Sequence, residues 1–196
     1  IAIVLILWEK ELNMSIRTLL EAAEKAYEKK ANMEELSEFL LSRLEQYLRE
    51  QAPKEQTEDT NILRAVVYND DPLLKNKKAI LSEIPCASGS DDFKHMVETL
   101  KRIQNILSKA ELEDADLDQA TLNESEQALL DASRTLSKKD TLTLDDVLSL
   151  SKPVTAFFDK NMVMSEDPEE RANRLAILQE TYVQMKRVLN PEYLLS

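Results

Sequence analysis

The segment that decides the fold of this chain runs Val154-Thr-Ala-Phe-Phe-Asp-Lys-Asn-Met-Val-Met-Ser-Glu-Asp-Pro-Glu-Glu-Arg-Ala-Asn-Arg-Leu-Ala-Ile-Leu178. Its second half has the form of a helix start: Asp167 can accept hydrogen bonds from the first turn, and Pro168 suits the first helical position. Two glutamates follow, where the positive end of the helix dipole favours them. Apolar side chains then recur at steps of three and four as far as Leu189. This spacing predicts a long helix that packs against other helices.

The composition predicts that the rest of the chain is helical too. Its 196 residues include one glycine, Gly89, and six prolines that stand between long uninterrupted segments. β-Hairpins and glycine-rich phosphate loops both require glycine, so the sequence indicates an all-α fold. Nucleotide sites of the Walker or Rossmann kind are excluded for the same reason.

Few residues are suited to catalysis or to metal binding. Cys86 and His95 are the single cysteine and the single histidine, too few for an internal disulfide or for a zinc or iron centre. As a nucleophile and base they would lack a third group to orient them. The acidic run from Glu111 to Asp118 lacks the glycine and the ligand spacing of a calcium-binding loop. The sequence therefore predicts no catalytic residue and no metal, and it indicates a reducing, cytoplasmic location.

The chain opens with an apolar run, Ile1-Ala-Ile-Val-Leu-Ile-Leu-Trp8. The run is shorter than the roughly 20 residues that a membrane-spanning helix needs. No basic segment precedes it and no small-residue cleavage site follows it, as a signal peptide would require. We interpret it as the end of a buried helix, which suggests that the chain is cut from a longer protein. No membrane contact is expected.

The distribution of turn residues divides the chain into three parts. Residues 1–52 form a small helical unit, residues 53–90 a connector that opens with a polar, turn-rich stretch, and residues 91–196 a larger helical domain. In the first unit, Leu36 and Phe39 are expected to face inward. Helix starts are predicted from capping residues and from prolines at Ser15, Asn32, Asp71-Pro72, Ser90, Asn123, Pro153 and Asp167.

The chain is acidic, since 37 Asp and Glu against 25 Lys and Arg give a formal net charge of -12. Contacts from Lys and Arg to phosphate supply most of the non-specific affinity for nucleic acids, so this balance argues against a general nucleic-acid-binding protein. Any contact with RNA must be confined to one face on which basic side chains cluster. Binding to DNA is not expected.

Several elements resemble one family in order along the chain. The aromatic pair, Met-Val-Met run, acidic turn and Arg-x-Asn-Arg-Leu start within Val154–Leu178 resemble the anticodon-binding end of bacterial-type glycyl-tRNA synthetase β subunits. The helix Leu100-Lys-Arg-Ile-Gln-Asn-Ile-Leu107 is similar to the family's Phe-Lys-Arg-x-x-Asn-Ile-Leu helix, and Asn123–Leu130 to the helix that comes next. Residues 5–24 look like the helix-turn-helix that joins an HD-type domain to this region. The chain departs from the family at Asn161, where Val is usual, and in its last eight residues.

The resemblance implies a helical bundle of the DALR type over 91–196, the type shared with arginyl-tRNA synthetase. Residues 1–52 would be the helical tail of an upstream HD-type domain. The implied function is to bind the anticodon region of glycine tRNA in support of aminoacylation by the synthetase α subunit, within an α2β2 assembly. In this family ATP and glycine chemistry belongs to the α subunit, so no cofactor is implied for this chain.

Five basic residues are the candidates for tRNA contact. Arg171 and Arg174 lie three apart on one helix face, Lys101 and Arg102 stand on a helix that could pack nearby, and Lys160 is expected to face solvent. A guanidinium group can pair with phosphate through two hydrogen bonds or stack on an unpaired base. These properties make arginine informative at such positions.

Each candidate also has a purely structural interpretation. Arg102 and Arg174 could pair with carboxylates such as Asp159 or Asp167 and hold helices together, because many carboxylates compete for them. Lys160 could simply be a solvated surface residue. The apolar residues of the same segment are expected to be core, although one phenylalanine could offer an exposed stacking ring. They are Phe157, Phe158, Met162, Val163 and Met164.

Two other functions remain open from the sequence. The acidic balance favours a helical protein-interaction module without an RNA role. The DALR resemblance also allows the anticodon-binding domain of a different synthetase, of which the arginyl type is the nearest.

Overall fold

The computed structural model describes residues 2–27, 30–51, 60–110 and 121–194. These residues are helical nearly throughout and contain no β-strand, which confirms the all-α prediction. The only extended pairing among them is an isolated antiparallel bridge between Ser15 and Leu73. The helices are α1 (Ala2–Glu9), α2 (Ile16–Tyr27), α3 (Met33–Gln51), α4 (Thr60–Val67), α5 (Leu74–Ala87), α6 (Asp91–Leu107), α7 (Glu124–Ser137), α8 (Leu144–Leu148), α9 (Ser151–Lys160), α10 (Pro168–Lys186) and a C-terminal 3-10 helix (Pro191–Tyr193).

Most helix starts lie where capping residues predict them. Ser15 accepts a hydrogen bond from the backbone N–H of Thr18 at 3.0 Å. Asn32 accepts from two N–H groups of the first turn of α3. The side chain of Asp167 accepts from Glu169 N at 2.8 Å, and Pro168 occupies the first position of α10. Each side chain satisfies N–H groups that have no partner within the helix.

Three helix boundaries differ from the sequence prediction. α5 begins at Leu74 rather than directly after Asp71, because the Asp71 carboxylate accepts from Leu73 N in the turn and from Asn76 Nδ2 in the first turn of the helix. The helix also continues past Ile84, through Pro85, to Ala87. α9 begins two residues before Pro153.

The seven helices α4 to α10 share one large core. Leu100 and Ile103 of α6, Leu129 and Leu130 of α7 and Phe157 of α9 are fully buried in it. The stripe predicted for the last helix is buried in the same core at Leu175, Leu178 and Met185 of α10, and Leu189 is buried just beyond the end of that helix at Lys186.

A second, smaller core gathers α1, α2 and α3 around Trp8 and Leu44. The prediction that the first helix is buried is correct for one face only, because Ile3 and Ile6 on the other face are exposed. The inward orientation expected for Leu36 and Phe39 was wrong. Both side chains are exposed, since α3 turns the face that carries Leu44 toward the core.

α5 contributes to both cores: Leu74 lies in the smaller one and Ile80 in the larger. The three-part division at residues 52 and 90 stays a prediction. The polar stretch after residue 52 and the acidic connector at 111–118 lie outside the described residues.

A polar junction ties the turn between α4 and α5 to the end of α10. Asn69 Nδ2 donates to Val188 O at 2.9 Å, and Asn190 N donates to Ala65 O at 2.8 Å. The buried Lys77 ammonium donates to the carbonyl and side-chain oxygens of Asn69. Burial lowers the pKa of Lys77 to about 7 because it disfavours the charged form, although Asp71 opposes this effect.

Candidate nucleic-acid interface

A groove of about 710 Å³ runs along the outer face of α6, opposite the loop that joins α9 to α10. The lining residues on α6 run from Glu98 to Ile106, about 12 Å along the helix axis, and Lys109 lies just beyond its end. They therefore present one continuous face, which carries carboxylate, amide and apolar groups as well as three cations. We call this the α6 groove; its lining residues are Glu98, Lys101, Arg102, Asn105, Ile106, Lys109 and Met164.

An arginine held on an aromatic ring stands at the centre of this face. The guanidinium of Arg102 lies 3.8 Å from the centroid of the Phe158 ring, a cation–π contact between α6 and α9. Phe158 in turn packs edge-on against the buried Phe157, with ring centroids 5.6 Å apart. The guanidinium of Arg102 is thus held over a ring that itself packs against the core.

The far wall of the groove is formed by the loop between α9 and α10. The expectation that Met162 and Met164 belong to the core was wrong, because their side chains are 73% and 55% exposed. Val163 between them is buried. The chain bends at Val163 and Met164, and it leaves the side chain of Val163 in the core and both methionine side chains at the surface. The core assignments of Phe157 and Val163 are confirmed, whereas Phe158 is half-buried.

Asn161 anchors the beginning of this loop. Its amide nitrogen donates to Ser125 Oγ at 2.9 Å and to Phe157 O at 2.8 Å. Its oxygen accepts from Asn123 Nδ2 at 2.7 Å. Asn161 is therefore buried with the hydrogen bonds of its side chain satisfied.

Arg174 anchors the loop from the other side. Its side chain is 10% exposed, and its Nε lies 2.7 Å from Glu126 Oε1. Its Nη1 donates to Met162 O at 3.0 Å and lies 2.8 Å from Glu170 Oε2. This geometry agrees with the structural interpretation of Arg174, in which its guanidinium pairs with carboxylates. The partners are Glu126 and Glu170, however, rather than Asp159 or Asp167, because α7 packs directly against α10.

The other candidates occupy different settings. Arg171 is half-buried and donates to Ser165 O at 2.8 Å, so it braces the loop before α10. Lys160 is exposed at the last position of α9. Lys101 and Arg102 both line the α6 groove. Within the part of the chain that the structure describes, Arg102 takes part in no ion pair and stacks on Phe158 instead.

Lys109, Asn105 and Met164 line the groove but were not predicted as site residues. A signal for the first two was present, since Lys101, Asn105 and Lys109 recur at steps of four, although α6 ends at Leu107 and Lys109 lies just beyond it. No local pattern could place Met164, because the loop that carries it has no helical period.

Other kinds of site receive no support from the described ranges. Over residues 2–27, 30–51, 60–110 and 121–194, no group of three or more His, Cys, Asp or Glu is placed to hold a metal ion. Among the same residues no helix is long and apolar enough to cross a membrane.

Comparison with known proteins identifies the region that contains the groove. Residues 96–190 match the family model described as DALR anticodon binding domain. The glycine–tRNA ligase β subunit of Streptococcus suis (strain 05ZYH33) is 32% identical over 176 residues, which cover 87% of this chain and 24% of that protein. The same subunit of Ralstonia nicotianae is 32% identical over 202 residues, covering 96% of this chain and 28% of its relative. That of Streptococcus pneumoniae (strain Hungary19A-6) is 35% identical over 155 residues, covering 78% and 21%.

The present chain thus spans about a quarter of the length of these relatives. Similarity extends over nearly all of it, and the family model covers α7 to α10 and most of α6, where the groove lies. The chain belongs to the glycine–tRNA ligase β-subunit family, and residues 96–190 form its DALR anticodon-binding domain.

Proposed function

We propose that the α6 groove holds the anticodon region of glycine tRNA and so supports aminoacylation that a separate α subunit carries out. The observation that carries this proposal is the position of Arg102, stacked on Phe158 beside an apolar groove that Lys101 and Lys109 flank. Three cations share this face of a chain whose formal net charge is -12.

The groove offers what an unpaired RNA segment requires. Anticodon bases are unpaired, and proteins recognise such bases by stacking them on flat side chains while cations hold the phosphates. Met164 and Ile106 supply apolar surface, and Arg102 supplies a planar cation. Lys101 lies on α6 and Lys109 just beyond its end, eight residues later, a separation that suits contacts to separate phosphates.

The remaining candidates have different roles in this proposal. Lys160 contacts phosphate outside the groove. Arg171 and Arg174 act on the RNA indirectly, because both guanidinium groups are engaged with the loop that forms the groove wall. The chain contributes binding and no chemistry, whereas ATP is used by the α subunit, which we place with this chain in an α2β2 assembly in the cytoplasm.

Titration of the purified chain against three tRNAs tests the proposal. We expect salt-sensitive binding to glycine tRNA that exceeds binding to arginine tRNA and to an unrelated tRNA. A preference for arginine tRNA would instead assign the domain to an arginyl-type specificity. No binding to any tRNA would contradict the proposal and favour the interaction module that the acidic composition suggests.

A further inference from the structure

The wall of the α6 groove is a loop whose conformation must be set by side chains. Residues 161–167 connect α9 to α10 without a regular ladder of backbone hydrogen bonds. Met162 and Met164 project outward, and the buried Val163 alone provides a weak hold on the core. Ordering of such a segment costs backbone entropy, so specific contacts must offset that cost.

The bonds of Asn161 leave its amide a single orientation. The amide group has two N–H donors, and both are used, one by Ser125 Oγ and one by Phe157 O. Turning the amide over would place its oxygen against the Phe157 carbonyl oxygen. The first residue of the loop is therefore fixed to α9 and to the beginning of α7.

Arg174 fixes the next residue from α10. Because its guanidinium is planar, Nε and Nη1 can engage two acceptors at once, Glu126 on α7 and the backbone carbonyl of Met162. A single ammonium nitrogen at this position could not bridge both acceptors in the same geometry.

Both anchors end on the same structural element, the capping box of α7. Asn123 Oδ1 accepts from the N–H groups of Ser125 and Glu126, and Glu126 Oε2 accepts from Asn123 N at 2.8 Å. Asn161 bonds the Asn123 amide, and Arg174 pairs with the remaining carboxylate oxygen of Glu126. The two capping residues thus serve the helix end and the loop together.

We infer that Asn161 and Arg174 are positioning residues of the α6 groove, which act by tying residues 161 and 162 to the α7 capping box and so hold Met164 opposite α6. The effect on Met164 follows from these contacts alone. The effect on tRNA rests on the proposed function.

The test uses the complete chain with carbon-13 methyl-labelled methionine. Asn161→Val removes the amide bonds, and Arg174→Lys keeps a cation near Glu126 but loses the bridge to Met162 O. The Met164 methyl signal is assigned with Met164→Leu, and buried Met96 of α6 serves as an internal reference. Ser133→Ala is the control, because it breaks a buried hydrogen bond between α7 and α10, to Thr181, outside the loop.

We expect the Met164 signal to shift or broaden in both positioning variants while Met96 keeps its position. The affinity for glycine tRNA should fall about threefold to tenfold, the equivalent of one or two lost hydrogen bonds. Ser133→Ala should lower the melting temperature without changing the Met164 methyl signal or the affinity for glycine tRNA.

A Met164 signal that is the same in wild type and Asn161→Val overturns the inference. Altered Met164 signals with unchanged tRNA affinity overturn its functional half. Failure of the wild-type chain to bind any tRNA contradicts the proposed function, and the methyl spectra then still decide whether Asn161 and Arg174 position the loop.

Discussion

The guanidinium of Arg102 lies 3.8 Å from the centroid of the Phe158 ring, although 56 residues separate the two in sequence. This contact joins α6 to α9 at the α6 groove and holds a planar cation at the protein surface. A side chain ordered in advance loses less conformational entropy when a ligand stacks on it.

Removal of the ring should therefore weaken RNA binding without removing a charge. Phe158→Leu keeps apolar volume but loses the cation–π contact, which is worth about 0.5–1 kcal/mol at an exposed site. We expect glycine tRNA to bind about twofold to fivefold more weakly, as measured by fluorescence anisotropy. Equal affinities for Phe158→Leu and wild type would show that the stack does not prepare Arg102 for binding.

Arg174 and Arg171 should differ sharply in their importance for stability. Arg174→Ala leaves the buried Glu126 carboxylate without its cation, and loss of one partner of a buried pair costs about 3–5 kcal/mol. Arg171→Ala removes one hydrogen bond to a carbonyl, at a cost of about 1 kcal/mol. Urea denaturation of the two variants measures the difference, and equal losses would contradict the assignment of Arg174 to the interior.

Stability should rise with pH above neutrality because of Lys77. Its pKa is about 7 in the folded chain and about 10.4 when unfolded, so between these values the unfolded state binds one more proton. Stability then increases by up to about 1.4 kcal/mol per pH unit. Below pH 7 Lys77 is protonated in both the folded and the unfolded state, so it no longer makes stability depend on pH.

Lys77→Met should flatten the stability profile between pH 7.5 and about 9.5, since no proton is then exchanged at that position. Lys78→Met is the matched control, because the Lys78 side chain is half-buried and pairs with Glu9 and Glu11. Urea midpoints across this range measure the profile. The same slope in Lys77→Met and wild type would rule out Lys77 as its source.

The two cores should unfold together. Leu74 of α5 lies in the smaller core and Ile80 of the same helix lies in the larger one. Leu81 packs against both cores. Trp8, the single tryptophan, reports on the smaller core by fluorescence, whereas circular dichroism reports on all helices. We expect coincident transitions in urea. A Trp8 transition at lower urea would show that the first three helices form a separate unit.

Local signals were enough to predict where most helices begin. Ser15, Asn123 and Asp167 each cap the helix that follows, and this interaction depends on only a few neighbouring residues. Asp71 does not stand directly before α5, because its carboxylate accepts from Leu73 N in the turn and from Nδ2 of Asn76 in the first turn of the helix.

The site depended on contacts that are distant in sequence. The sequence placed Lys101 and Arg102 on one helix, but it could not show that Arg102 meets Phe158 or that Arg174 meets Glu126, 48 residues away. Hydrophobicity also assigned Met162 and Met164 to the core. Only the structure shows that both of these side chains are exposed while Val163 between them is buried.

The most direct test of the central claim is the salt dependence of glycine tRNA binding to Lys101→Ala/Lys109→Ala. The control is Lys94→Ala/Lys138→Ala, which removes the same charge at exposed positions outside the groove. If both groove lysines contact single-stranded phosphates, the negative slope of log K against log salt should become shallower by about 1.4 in the groove variant. The slope should stay unchanged in the control. Equal affinities and slopes in the two variants would contradict the assignment of tRNA binding to the α6 groove.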